Sequence, residues 1–239
     1  RTSPARELWR LLITTIGLPR KPEQPSGAVV PTGVLLDDPR SAMIGRKRPP
    51  REALPVTPTG PLAIPCLRSR LVCNGRPLVM GILNVTPDSF SDGGAFLDAE
   101  RALRRGMDMA AEGADLIDVG GESTRPGARP VSCHEELRRT IPVLERLVKS
   151  VRIPVSIDTT KAEVARRAIE AGASIVNDVS ALRADPKMAE VVARSQAAVI
   201  LMHMAGTPRS MQHRPSYRNV VEEVGAFLSR RALHASRAG

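Results

Sequence analysis

Strand and helix patterns alternate five times from residue 78 to the end of the chain. Each unit begins with a short apolar run typical of a buried parallel strand and continues into a segment with helical periodicity. The predicted strands cover residues 78–83, 116–119, 154–157, 174–176 and 198–202, and the predicted helices cover residues 98–112, 132–149, 161–171, 185–194 and 217–236. Because no antiparallel hairpin pattern interrupts this alternation, we expect an α/β domain with a parallel sheet.

Polar side chains mark the carboxyl ends of the predicted strands, at Asn84, Asp118, Asp158, Asn177 and His203. No G-x-G-x-x-G motif follows the first strand, which argues against an open dinucleotide-binding sheet. Polar strand ends are typical of a (β/α)8 TIM barrel, in which the following loops converge on one mouth. Such a barrel has eight units in about 250 residues. The five units are therefore expected to be the first part of a barrel that is truncated at the C-terminus.

The charge and the prolines divide the chain into two regions. Residues 1–76 hold thirteen Lys and Arg against five Asp and Glu, and they contain twelve of the 21 prolines. A segment of this composition buries little apolar surface and is expected to be disordered. The prediction is a basic, proline-rich leader over residues 1–75 and a barrel domain over residues 76–239, so most of the net charge of +10 belongs to the leader.

Composition also excludes several classes of protein. Only five residues are aromatic, too few for a nucleic-acid module that stacks bases on rings. No apolar run approaches the roughly 20 residues of a membrane span, so no membrane partner is expected. The three cysteines are too few and too scattered for a disulfide framework, which favours reduced thiols and a cytoplasmic protein.

Two loops after the predicted strands carry candidate ligands. The first, N-V-T-P-D-S-F-S-D-G-G at residues 84–94, offers hard oxygen donors that suit Mg²⁺ and phosphate oxygens. The second, G-G-E-S-T-R-P-G at residues 120–127, adds Arg125, whose guanidinium suits a carboxylate or a phosphate. By spacing alone, an ordinary polar connection and a solvent-facing arginine remain open as alternatives.

Asp158 and Asn177 end successive predicted strands, so their side chains are expected at the same mouth. A carboxylate acceptor beside an amide can bind the edge of a planar heterocycle that carries amino and carbonyl groups. A pair of helix caps is the alternative. His203 has no second His or Cys at metal-binding spacing, and no nucleophile elbow is present. The chemistry therefore depends on positioning and electrostatics.

Five motifs in this order resemble those of the dihydropteroate synthase family. They are M-G-I-L-N-V-T-P-D-S-F-S-D-G-G at residues 80–94, L-I-D-V-G-G-E-S-T-R-P-G at 116–127, S-I-D-T at 156–159, I-V-N-D-V at 175–179 and L-M-H-M at 201–204. The family folds as a (β/α)8 barrel and is a sulfonamide target in folate biosynthesis. The resemblance implies a transferase that condenses p-aminobenzoate with 6-hydroxymethyl-7,8-dihydropterin diphosphate, giving 7,8-dihydropteroate and diphosphate.

The resemblance also implies roles for individual residues. Asn84 would hold Mg²⁺ and the diphosphate, and a pterin slot would be formed by Asp158, Asn177 and Met202. The family usually forms a homodimer and needs no nucleic-acid partner.

The two loops would contribute to the rest of the site. Thr124 and Arg125 would help to close it, and Phe90 and Pro126 would lie near the p-aminobenzoate ring.

The family has three further segments that this sequence does not contain: a D-P-G-F-G-F-like, an S-R-K-like and a late R-x-H segment. We therefore expect the chain alone to be poorly stable and inactive. Two alternatives remain open: a methyltransferase-type pterin-binding barrel, and an inactive truncated pterin-binding protein.

Overall fold

The computed structural model describes residues 62–74, 76–86, 94–123, 130–206, 211 and 215–239. Seven strands and five helices lie within these ranges. In chain order they are β1 (Leu62–Cys66), β2 (Ser69–Cys73), β3 (Met80–Asn84), α1 (Gly94–Ala111), β4 (Leu116–Gly120), α2 (Cys133–Ser150), β5 (Val155–Asp158), α3 (Ala162–Glu170), β6 (Ile175–Asp178), α4 (Met188–Ser195), β7 (Ala198–Leu201) and α5 (Val220–Ala238).

The predicted parallel sheet is confirmed. Strands β3 to β7 pair in sequence order, and each pair is parallel. The register places Gly120 opposite Asp158, and Asp158 opposite Asn177. Because side chains alternate between the two faces of a strand, neighbours in this register present their side chains on one face. The fold is part of a TIM-type barrel, with helices between successive strands.

The main core lies between the sheet and its helices. Ile117, Val119 and Ile157 on the strands pack with Leu144 and Leu147 of α2, and all five are completely buried. Burial of apolar side chains of this size contributes about 1.5–3 kcal/mol each. Asp118 and Asp158 alternate with these core residues along β4 and β5 and therefore face the other side of the sheet.

A β-hairpin packs against the opposite face of the sheet, near its amino ends. β1 and β2 are antiparallel, and Cys66 and Leu71 are buried against Leu116, Ile175 and Ile200. This hairpin lies inside the segment whose composition predicts a disordered leader, so ordered structure begins before residue 76. The proline and charge counts are averages over 75 residues, and such averages do not detect two strands of only five residues each. Residues 1–61 lie outside the described residues.

The outer strands of the described sheet, β3 and β7, each pair with one neighbour. Ile82 in β3 is 49% exposed, whereas Leu83 beside it is buried. One face of β3 is therefore covered by helices, and among the described residues the other face is exposed at Ile82. Within the same residues, no helix is both long enough and apolar enough to cross a bilayer.

Candidate functional site

The carboxyl ends of β3, β4, β5 and β6 bring polar side chains together. Gly120 lies at the centre, because a Cβ atom built on it would be 3.6 Å from Asn84 Oδ1 and 3.7 Å from Asp158 Oδ2. Asn177 is the register partner of Asp158 on the next strand. The sheet thus collects Asn84, Asp158 and Asn177 at one edge, as the sequence predicts.

Asp118 organises the buried floor of this site. Its Oδ1 accepts a hydrogen bond of 2.6 Å from Ser156 Oγ, and its Oδ2 accepts one of 2.9 Å from Asn177 Nδ2. Burial raises the pKa of the Asp118 carboxyl, and the hydrogen bonds from Ser156 and Asn177 oppose this. The bond from Asn177 fixes the orientation of its amide, so that Oδ1 remains as the acceptor of that side chain.

Asp158 has a buried carboxylate oxygen, Oδ1, with no hydrogen-bond partner. Burial raises the pKa of this carboxyl well above its usual range, and four nearby carboxylates raise it further, in the order Asp118, Glu136, Asp178 and Glu122. A buried acceptor without a partner is costly to the fold. It is therefore a candidate for binding the donor groups of a ligand.

Lys161 is bonded to two of the surrounding carboxylates. Its Nζ donates to Glu122, and to Oε2 of Glu136 at 2.5 Å. Glu136 is completely buried, and its second oxygen, Oε1, has no partner. Burial alone would lower the pKa of Lys161, but the hydrogen bonds to Glu122 and Glu136 and the charges of these two side chains together outweigh it, and the pKa is raised. The ammonium group therefore remains charged and compensates the buried carboxylate.

The start of the second loop is held against α2. Ser132 caps this helix by accepting from Glu135 N at 3.2 Å, which confirms the predicted helix start. The Glu135 side chain then binds Arg139, and Arg139 Nη1 donates to the Gly121 carbonyl at 3.0 Å. Glu122, the next residue, is bonded to Lys161. Helices α2 and α3 therefore fix the first residues of this loop.

Gly121 is expected to tolerate no larger side chain. A Cβ atom there would lie 2.7 Å from Thr140 Cγ2 and 3.0 Å from Glu136 Cγ. Gly121→Ala should lower the free energy of unfolding by about 1–3 kcal/mol, because the overpacked contact forces α2 away from β4. Gly225→Ala is the matched control, since its Cβ meets nothing within 4 Å and it lies in α5. The control should gain about 0.5–1 kcal/mol in urea unfolding; equal changes in the two variants would contradict the packing argument.

Of the other five predicted site residues, the structure describes only Met202. Met202 follows β7 and is partly buried. Phe90, Thr124, Arg125 and Pro126 lie outside the described residues, so their roles stay predictions.

His203 packs against two aromatic side chains. Its ring packs edge-on against Phe227 with centroids 4.9 Å apart, and it also contacts Tyr217 at 5.8 Å. Burial, and then the charge of Arg183, lower the pKa of His203. The neutral ring is therefore favoured.

Sequence reasoning missed three residues of this network. The sequence patterns place Asp118 only near a strand end, and they predict no role in the site for Lys161 or Glu136. The alternation of Asp118 and Ser156 with apolar neighbours was the available signal for the first. No local pattern identifies the other two, because Lys161 and Glu136 are 25 positions apart in the chain.

Comparison with known proteins places these features in a family. The profile of the pterin binding enzyme family matches residues 80–239. This chain belongs to that family. The match includes all five strands of the parallel sheet and the residues at their carboxyl ends, whereas the β1–β2 hairpin precedes it.

Several proteins that this chain resembles are dihydropteroate synthases. The chain is 50% identical over 154 residues to the dihydropteroate synthase of Synechocystis sp., a match that covers 64% of this chain and 53% of the relative. It resembles the structure of Xanthomonas albilineans dihydropteroate synthase with 4-aminobenzoic acid, with a TM-score of 0.66, 52% identity and coverage of 73% of this chain and 61% of that chain.

A second Xanthomonas albilineans dihydropteroate synthase structure, in complex with 7,8-dihydropteroate, gives a TM-score of 0.60 at 48% identity. This match covers 70% of the present chain and 58% of that chain. The present chain spans about half the length of the Synechocystis and Bacillus subtilis relatives that it matches.

Proposed function

We propose that this protein is a dihydropteroate synthase and that the described residues form the pterin-binding part of its site. The reaction would condense p-aminobenzoate with 6-hydroxymethyl-7,8-dihydropterin diphosphate, giving 7,8-dihydropteroate and diphosphate. The observation that carries the proposal is the buried, unpartnered oxygen of Asp158 beside Asn177, at the carboxyl ends of adjacent strands. Family membership and about 50% identity to synthases support it.

Recognition of the pterin would depend on donors and acceptors arranged in a plane. The 2-amino group and ring N–H groups of a pterin would donate to the Asp158 carboxylate, and the Asn177 amide oxygen would accept a further hydrogen bond. Asp118 keeps the Asn177 amide in this orientation by accepting from Nδ2. The partly buried side chain of Met202 would cover the flat face of the ring.

In the condensation, the bond between the pterin methylene carbon and the diphosphate oxygen breaks, and its electron pair leaves with diphosphate. The amine nitrogen of p-aminobenzoate forms the new C–N bond and then loses a proton. The Asp158 carboxylate would favour this step, because hydrogen bonds that it accepts from the pterin N–H groups increase the electron density of the ring that stabilises the methylene cation. The weakly basic aromatic amine needs no strong base to attack.

Asn84 is the candidate magnesium ligand. Among the residues that the structure describes, no group of three or more His, Cys, Asp or Glu residues could hold a metal ion. The amide oxygen of Asn84 is nevertheless a hard donor at the mouth of the site, and Mg²⁺ commonly completes its shell with phosphate oxygens and water. The residues thus fit a Mg²⁺ ion that binds together with the diphosphate and neutralises its charge.

The remaining roles also belong to this proposal. Thr124 and Arg125 would help to close the site, and Phe90 and Pro126 would lie near the p-aminobenzoate ring. The cytoplasmic location inferred from the cysteines and the homodimer implied by the family both stay predictions.

Calorimetric titration with 6-hydroxymethyl-7,8-dihydropterin diphosphate and Mg²⁺ tests the proposed function. We expect saturable binding of one pterin per chain, weakened when Mg²⁺ is replaced by EDTA, because the diphosphate charge is then less well compensated. A DNA duplex titrated under the same conditions is the control for binding driven by the net charge of +10. Binding of DNA without binding of the pterin would contradict the proposal.

A further inference from the structure

The loop after β6 contains two consecutive residues in a strained conformation. Ala181 and Leu182 have φ angles of 54° and 61°, in the left-handed region, and neither is glycine. Both residues are buried. This conformation costs roughly 1–2 kcal/mol per residue, so it persists only where surrounding groups hold it. The loop begins at residue 179, directly after Asp178, and Asn177 of the proposed pterin slot precedes Asp178 in β6.

Hydrogen bonds from two directions hold this loop. The Asp178 carboxylate accepts from Ser180 N at 2.7 Å and from Leu182 N at 2.8 Å. From the other side, the Arg231 guanidinium donates to the carbonyl of Ala181 at 2.6 Å and to that of Leu182 at 3.0 Å. Arg231 lies in α5, about 50 positions further along the chain. Arg231 therefore gives the carbonyl groups of both strained residues a hydrogen-bond donor from a distant part of the chain.

The same face of α5 also contacts the segment after β7. Phe227 lies one helical turn before Arg231, and the His203 ring meets it edge-on at 4.9 Å. The guanidinium of Arg183, from the loop after β6, lies 5.1 Å from the centre of the Phe227 ring. Since His203 directly follows Met202, α5 connects the loop that follows Asn177 with the segment that carries Met202.

We propose that Arg231, together with Phe227, is a positioning residue for the pterin slot. By holding the loop after β6 against the segment after β7, it sets the distance between Asn177 and Met202. This inference rests on the proposed function for the ligand, but the effect on the loop does not depend on any ligand. It assigns α5 a role in ligand affinity in addition to covering the sheet.

Amide hydrogen exchange of the ligand-free chain tests the effect on the loop. Arg231→Met removes both donors, Arg231→Lys keeps one charged donor, and Arg230→Met removes a neighbouring exposed arginine from the same helix. Exchange at Ser180 and Leu182 should increase at least tenfold in Arg231→Met, by an intermediate factor in Arg231→Lys and not at all in Arg230→Met. Unchanged exchange in both Arg231 variants would overturn the proposal. The lysine variant retains part of the contact and tests the loop even where the methionine variant does not fold.

Calorimetric titration of the same variants with 6-hydroxymethyl-7,8-dihydropterin diphosphate and Mg²⁺ tests the slot. We expect Arg231→Met to weaken binding at least tenfold, Arg231→Lys to restore part of the affinity, and Arg230→Met to bind like the native chain. Equal affinities in the native chain and Arg231→Met would overturn this inference. Absence of binding to the native chain would instead overturn the proposed function, and the exchange data would still report on the loop.

Discussion

Replacement of Asp158 by asparagine is expected to weaken pterin binding about 100-fold while it stabilises the folded chain. The loss of affinity follows because the variant replaces a charged acceptor with an amide, and hydrogen bonds to charged groups contribute about 1.5–3 kcal/mol each. The gain in stability follows because the native carboxylate is buried among Asp118, Glu136, Asp178 and Glu122, with one oxygen unpartnered. The variant removes the negative charge that burial and these carboxylates disfavour, which should recover about 1–3 kcal/mol at neutral pH.

The gain in stability should depend on pH in a defined direction. The pKa of Asp158 is raised in the folded state, so between the unfolded and folded pKa values the folded state binds more protons. The native chain therefore loses stability as the pH rises from the ordinary carboxyl pKa of about 4 through this window. The Asp158→Asn variant does not lose stability in this way, because its amide does not ionise. Its advantage in urea unfolding should be smaller near pH 4 and larger near pH 8.

Asp108→Asn is the matched control, because Asp108 is an exposed aspartate on α1. It should change pterin affinity by less than twofold and stability by no more than about 0.5 kcal/mol. If Asp158→Asn binds pterin as tightly as the native chain, Asp158 is not the pterin acceptor. If it is also less stable at pH 8, the interpretation of its buried carboxylate is wrong.

Lys161→Met is expected to have the largest effect on stability. The variant leaves the completely buried Glu136 carboxylate without its cation and also frees Glu122 at the start of the second loop. Loss of one partner of a buried ion pair costs about 3–5 kcal/mol. Chemical unfolding at pH 7 measures this cost.

Two further variants make the measurement specific. Lys161→Met combined with Glu136→Gln should recover most of the loss, because no uncompensated buried charge remains. Lys149→Met, an exposed lysine at the end of α2, should change stability by no more than about 0.5 kcal/mol. If Lys161→Met matched this control, or if the double variant were no more stable than the single one, Lys161 would not be the compensating cation of Glu136.

The sheet and its strand-end residues followed from local sequence patterns. A buried parallel strand is recognised from a short apolar run. The carboxyl ends of parallel strands all lie at one edge of the sheet, so the residue that ends each run can be placed at the mouth of the fold. Asn84, Asp158 and Asn177 could therefore be predicted to meet. The hairpin of β1 and β2 was missed, because its two short strands lie in a segment whose average composition is that of a disordered chain.

The network around these residues depends on contacts between distant elements. Asp118 binds Ser156 and Asn177 because the register of the parallel strands aligns these residues. The local sequence of a strand does not determine its register with the neighbouring strand. Ala181 and Leu182 adopt left-handed φ angles although neither is glycine, so the sequence contains no residue that would indicate this turn. Arg231 reaches them from a helix that is remote in the sequence. Tertiary contacts, rather than local preference, decide these features.

A crystal structure of the chain with 6-hydroxymethyl-7,8-dihydropterin bound tests the central claim most directly. The quantity to measure is the distance from the Asp158 carboxylate oxygens and the Asn177 amide to the polar edge of the pterin ring. We expect donor–acceptor distances of about 3 Å to both side chains, with Oδ1 of Asp158 no longer unpartnered. A pterin bound elsewhere, with Asp158 Oδ1 still without a partner, would contradict the account.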